Sequence, residues 1–185
     1  MRIMKKRSTI ALLLAIVTIL MISGCTSTQQ PTTQNSNSAI LELGKEAPDV
    51  TFTTIDGEEQ RLSDYRGERI MFWYFATWCP SCIKAAEVLE QNNDQLNGMK
   101  IIALKTYGNA GYGGPTILEF SQKYSPNALQ YNNWVWGDAS QQATSVYNSQ
   151  NYPDIYFLID KNGILRDVDG APAATLNKII NFAQG

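Results

Sequence analysis

Three cysteines and no histidine bound the chemistry open to this chain of 185 residues. Without histidine, Ser-His-Asp and Cys-His catalysis are excluded, and with them most metal sites. Two of the thiols lie in Trp78-Cys79-Pro80-Ser81-Cys82. Two residues separate them, at the point where the apolar run Ile70 to Phe75 gives way to a helical pattern. That placement reads as a dithiol–disulfide centre. A purely structural disulfide is the bland alternative, but so small a loop constrains the unfolded chain little. Two thiolates are also only half a zinc site, so no metal is expected.

The elements that must position this pair follow from periodicity. Ile70 to Ala76 is almost continuously apolar and aromatic, as in a central strand covered on both faces. Pro80 to Asn97 reads as one helix. Cys82, Ala85, Ala86, Leu89 and Leu96 form its apolar face, and Gly98 sits at a favoured C-cap position. Upstream, Val50 to Thr54 and Glu59 to Leu62 flank the Asp56-Gly57 turn signal of a hairpin, and Ser63 to Gly67 reads as a turn or short helix. Downstream, Lys100 to Thr106 is a second buried strand, Tyr107 to Pro115 a Gly/Tyr-rich loop and Thr116 to Tyr124 a short helix. Ser125 to Asp138, with Trp134 and Trp136, reads as irregular, and Ser140 to Tyr147 as a helix. Ile155 to Ile159 and Ile164 to Val168 pair across Asp160-Lys161-Asn162-Gly163, and Thr175 to Ala183 is a closing helix. Strands alternating with helices imply an α/β fold with a mixed sheet between helices.

The N-terminus is of another kind. Residues 1–24 combine Arg2, Lys5, Lys6 and Arg7 with an apolar stretch from Ile10 to Ile22 and the small residues Ser23 and Gly24. This is an export-signal pattern. The thirteen residues from Ile10 to Ile22 span roughly 20 Å as a helix, short of the ~30 Å hydrocarbon core. An uncleaved signal anchor remains the alternative. Residues 25–40 hold Cys25 and a linker in which Thr26 to Ala39 is uncharged and, but for Ala39, made of Ser, Thr, Gln, Asn and Pro, apt for a flexible tether. Beyond the N-terminal cluster, eleven basic residues face seventeen acidic ones, a net charge of −6. So acidic a body argues against nucleic acid as a partner.

At this level the chain resembles membrane-tethered thiol-disulfide oxidoreductases of the TlpA/ResA type, within the thioredoxin fold. The resemblance is carried by Asp56-Gly57, Leu62 to Gly67, Ala76 to Cys82, Tyr152-Pro153 and Phe157 to Gly163, in the family's order over residues 41–185. It implies a three-layer thioredoxin-like domain with an N-terminal hairpin and an inserted helical and loop element. Cys79 would be the attacking nucleophile, at a helix N-terminus whose free N–H groups and dipole favour a thiolate. Cys82 would resolve the mixed disulfide, and Pro80 suits the first helical turn. Pro153 resembles the family's cis-proline, although an edge-strand proline is the alternative. Tyr152 and Trp78 would then border the substrate site. Ile22-Ser23-Gly24-Cys25 resembles a lipobox, with Cys25 taking the lipid.

Two departures stand out. Thioredoxins usually place an acid six residues before the first cysteine, where this chain has Trp73. ResA-like proteins place a Glu three residues after the second, where this chain has Ala85. Glu87 should point to the surface. Asp154, where relatives commonly carry Thr, could bring a carboxylate to the dithiol and oppose thiolate formation.

The expected function is extracytoplasmic thiol-disulfide exchange by a monomer anchored to the cell membrane, with no cofactor beyond its own dithiol. The resemblance favours reduction of exported protein disulfides, for example in cytochrome c maturation, with electrons from a membrane thiol carrier. The rivals are an oxidase or isomerase on the same fold, and a non-catalytic lipoprotein that binds through its aromatic loop. A peroxidase is disfavoured, because Ala76 stands where a Thr-x-x-Cys pattern needs threonine.

Overall fold

The long apolar runs become the centre of a seven-stranded sheet in the computed structural model, which describes residues 41–185. The expected signal peptide, the lipid-accepting Cys25 and the tether lie outside the described residues. β1 (Thr51–Thr54) and β2 (Glu59–Arg61) form the hairpin, turned at Gly57 with a left-handed φ of 84° that favours glycine. β3 (Arg69–Phe75) and β4 (Met99–Lys105) run parallel. β5 (Trp134–Ala139) is parallel to β4 on its far side and antiparallel to β1. β6 (Ile155–Ile159) and β7 (Leu165–Gly170) complete the order β2-β1-β5-β4-β3-β6-β7, with β6 antiparallel to β3.

Because side chains alternate across a strand, β3 feeds both layers. Met71, Trp73 and Phe75 pack under α1 (Pro80–Gln91), α2 (Asn93–Leu96), α3 (Ile117–Tyr124) and α5 (Leu176–Gln184). Ile70, Phe72 and Tyr74 face α4 (Gln141–Tyr147) and the segment around Ala47 and Val50. β3 is fully buried from Ile70 onward, so truncating a residue such as Phe72 would cost roughly 3–5 kcal/mol.

Three expectations need correction. The segment expected to be irregular contains β5, and its Trp134 and Trp136 are core residues, 7% and 3% exposed. That strand lies between β1 and β4 in the sheet. The Pro80 to Asn97 helix is broken at Asn92, whose side chain donates to the Val88 carbonyl at 2.8 Å and competes with the backbone ladder. Gly98 does not adopt a left-handed cap. Its missing Cβ instead leaves room for the Ala183 carbonyl of α5, which would lie 2.1 Å from it.

Candidate active site

The C-terminal ends of β3 and β4 and the start of β6 meet at one end of the sheet. There the backbone runs from Phe75 through Ala76 and Thr77 into the cysteine motif. Cys79 is the N-cap of α1, and Pro80 occupies the first turn, where its missing N–H leaves nothing unpaired. The Cys79 N–H donates to Ala76 O at 3.2 Å and the Ile83 N–H to Cys79 O at 3.1 Å. Cys79 Sγ accepts from the Cys82 backbone N–H at 3.4 Å and lies 3.2 Å from Ser81 Oγ. Both thiols are free. Cys79 keeps 5% exposure and Cys82 none, so a substrate sulfur can reach Cys79 first.

Asp154 stands behind this pair. Its φ of 66° is unusual for a residue with a Cβ, and the backbone is held there from both sides. Its N–H donates to Tyr74 O at 2.7 Å and its carbonyl accepts from the Ala171 N–H at 2.8 Å. The side chain is buried. Trp73 Nε1 donates to its Oδ1 at 3.2 Å, while Oδ2 has no hydrogen-bond partner among the described residues. Burial pushes the carboxyl above the ordinary range, against the opposing pull of Ser81, Trp73 and Cys82. Burial also pushes the Cys82 thiol far up, helped by its contact with Cys79 and the charge of Asp154, with the Ala76 backbone pulling the other way. The acid missing from β3 and α1 stands instead just before β6. Trp73, at the position where an acid was expected, holds it.

Two loops frame the site. Residues 107–111 include a left-handed run at Gly108, Asn109 and Ala110, with φ of 58°, 54° and 57°. The two residues with side chains cost roughly 1–2 kcal/mol each in this region. Asn109 offsets that cost by bracing the cysteine motif. Its Oδ1 accepts from the Thr77 N–H at 3.0 Å, its Nδ2 donates to Thr77 Oγ1 at 3.0 Å, and its carbonyl accepts from Trp78 Nε1 at 2.8 Å. Tyr112 meets Trp78 edge-on, with centroids 4.8 Å apart. In the second loop, Asn148 clamps both backbone groups of Tyr152, and Asn151 Nδ2 donates to Tyr107 O at 2.9 Å.

The expected site residues Trp78, Cys79, Pro80, Cys82, Tyr152 and Pro153 thus gather at this end of the sheet. The likeness of Pro153 to a cis-proline does not hold. No peptide bond among the described residues is cis, and left-handed residues at Asn151 and Asp154 turn the chain instead. Glu87 pairs with Lys84 at 3.7 Å on the surface, as expected. Asp154 faces the dithiol, the alternative its sequence position raised. Asn109, Ser81 and the role of Trp73 were not foreseen, because each depends on partners that folding brings close. Among the described residues no cluster of acids and cysteines is placed to hold a metal ion, and no helix is long and apolar enough to cross a membrane.

Residues 43–168 match the AhpC/TSA family. Over 168 residues the chain is 28% identical to the thiol-disulfide oxidoreductase ResA of Geobacillus kaustophilus, covering 89% of each chain. It is 23% identical over 158 residues to the thioredoxin-like protein YneN of Bacillus subtilis, covering 84% of this chain and 87% of that one. A thioredoxin-like protein from Aeropyrum pernix superposes with a TM-score of 0.57 at 22% identity, over 72% of this chain and 88% of that one. The architecture is thioredoxin-like.

Proposed function

The chain belongs to the AhpC/TSA family, and from that premise we propose that it is a thiol-disulfide oxidoreductase that reduces disulfides of exported polypeptides through Cys79 and Cys82. The observation that carries the direction is the buried carboxyl of Asp154 against the dithiol. Strong oxidants of this chemistry owe their potential to a stabilised reduced form. Here burial, the Cys79 contact and the Asp154 charge hold Cys82 as a neutral thiol, so no stabilised thiolate on Cys82 makes this dithiol a strong oxidant.

The steps balance as follows. The Cys79 thiolate attacks one substrate sulfur, that S–S bond breaks, and the leaving sulfur takes a proton. Cys82 gives its proton to Asp154 and attacks Cys79 Sγ. The Cys79–Cys82 bond forms, the second substrate sulfur departs and is protonated, and two electrons have passed to the substrate. A membrane dithiol carrier outside this chain then restores the pair. The N-terminal motif ending in Cys25 supports a lipid anchor and an extracytoplasmic site of action, where a disulfide-bonded apocytochrome c is a substrate of this class.

Redox equilibrium of the full chain against glutathione tests this reading. The expected potential lies nearer the thioredoxin value of about −270 mV than the roughly −120 mV of strong oxidants. A value at the oxidising end would overturn the reductive direction. Equal insulin reduction by the wild type and Cys79→Ser would overturn catalysis and leave a binding role.

A further inference from the structure

The domain is acidic, yet the end of the sheet that carries the dithiol is not. Residues 70–83, 106–118, 139–153 and 170–177 contain no charged side chain. These are the segments that lead into the cysteine motif, form the loop after β4, span α4 to Pro153, and follow β7. Glu119, just beyond the second segment, is an exposed carboxylate turned back onto Thr116 as a helix cap, and other charges near these segments are paired or buried. Lys105 holds Asp138 at 2.7 Å, Lys178 holds Asp167 and Asp169 at 2.8 and 2.5 Å, and Asp154 is inside.

Aromatic exposure has the same bias. The exposed aromatic side chains among the described residues are Trp78, Tyr107, Tyr112 and Tyr152, and all four belong to these segments. Tyr112 stays 66% exposed while touching Trp78, and Tyr152 is 62% exposed. They are held in place by the bonds of the Trp78 indole and the Tyr112 N–H to the Asn109 carbonyl, the Asn151 bond to Tyr107 and the Asn148 clamp on Tyr152. Rings held this way lose little freedom on binding, which is why fixed Tyr and Trp side chains serve as contact points.

We propose that Trp78, Tyr107, Tyr112 and Tyr152 form a neutral aromatic rim that selects polypeptide disulfides flanked by uncharged aromatic residues. The inference rests on the oxidoreductase reading and names its substrate class. A substrate sulfur must approach Cys79 across this rim, so the residues beside it in an extended chain meet rings rather than charges. Ring–ring contacts would favour aromatic flanks. With no charge in the surrounding loops, approach does not depend on electrostatic steering, and salt should have little effect.

The test uses the full chain and short peptides closed by one disulfide, with Phe, Gly or Glu beside each half-cystine, and follows the second-order rate of peptide reduction. The Phe peptide should react roughly three- to tenfold faster than the Gly peptide, equally at low and high salt, and the Glu peptide should be slowest. Tyr112→Ser should bring the Phe-to-Gly ratio toward one, while Tyr112→Phe should preserve it. Equal rates for all three peptides, a preference for Glu, or a ratio unmoved by Tyr112→Ser would overturn this inference alone. No reduction of any peptide would overturn the oxidoreductase reading and the inference together.

Discussion

Replacing Asp154 with Asn keeps the side-chain shape and removes the charge that the site has buried. An amide oxygen can still accept from Trp73 Nε1, which now donates to Oδ1 at 3.2 Å, so the loss there is about 1 kcal/mol of charge assistance. Against that stands the desolvation of a buried carboxylate, the largest effect raising its pKa, a cost of roughly 1–3 kcal/mol that the neutral amide does not carry. The variant should therefore be as stable as the wild type or more so at neutral pH, by about 0–2 kcal/mol. The sign follows from the raised pKa. The stability that the neutral carboxyl contributes is complete below the unfolded value of about 3.9 and is lost as pH rises through the higher folded value. The two proteins should converge in acid and diverge toward neutrality. Activity should move the other way. Without a base beside Cys82, resolution of the mixed disulfide should slow by roughly a hundredfold, the low end of general-base effects, and the rise of that rate as Asp154 ionises should vanish. Rapid mixing with acid quench and mass analysis would reveal accumulated mixed disulfide in the variant. A variant that accumulates no mixed disulfide and keeps the wild-type pH profile would refute the role assigned to Asp154.

Other expectations follow from the same contacts. Cys82→Ser should arrest the reaction with substrate bound to Cys79, visible as a stable adduct of the protein's mass plus that of the substrate chain. Trp73→Phe removes the one donor to Asp154 Oδ1 and should move the carboxyl-dependent rise in resolution rate to higher pH, read from the same quench experiment. Asn109→Ala leaves the Thr77 N–H without its acceptor, at roughly 1–3 kcal/mol, and should speed hydrogen exchange at Thr77. Gly98→Ala would drive a methyl into the Ala183 carbonyl and should lower the melting temperature by several degrees, for an overpacking cost of about 1–3 kcal/mol, without altering the redox potential.

The sequence disclosed those parts of the fold whose cause is local. Apolar runs marked β3, β4 and β6, Asp56-Gly57 marked the hairpin, and the spacing of Cys79 and Cys82 marked the candidate dithiol. β5 was missed because Gly137 interrupts its pattern. The reason for that glycine is the Thr53 carbonyl of the neighbouring strand, 2.4 Å from where a Cβ would stand. The break at Asn92 depends on one side chain competing for a helix carbonyl. The site divides similarly. Position in the chain made Asp154 a candidate, but its bond to Trp73 joins residues 81 apart in sequence and has no local signal. Asn109 was hidden for the same reason, since its value lies in reaching Thr77 and Trp78 across a loop.

The central claim is that Cys79 and Cys82 pass two electrons to a substrate disulfide. A single turnover of the fully reduced chain with one equivalent of a cystine peptide, followed by peptide mapping, tests it most directly. The account predicts one peptide disulfide reduced for each new Cys79–Cys82 disulfide, and none reduced by Cys79→Ser. Peptide reduction without that new bond, or undiminished reduction by Cys79→Ser, would contradict it.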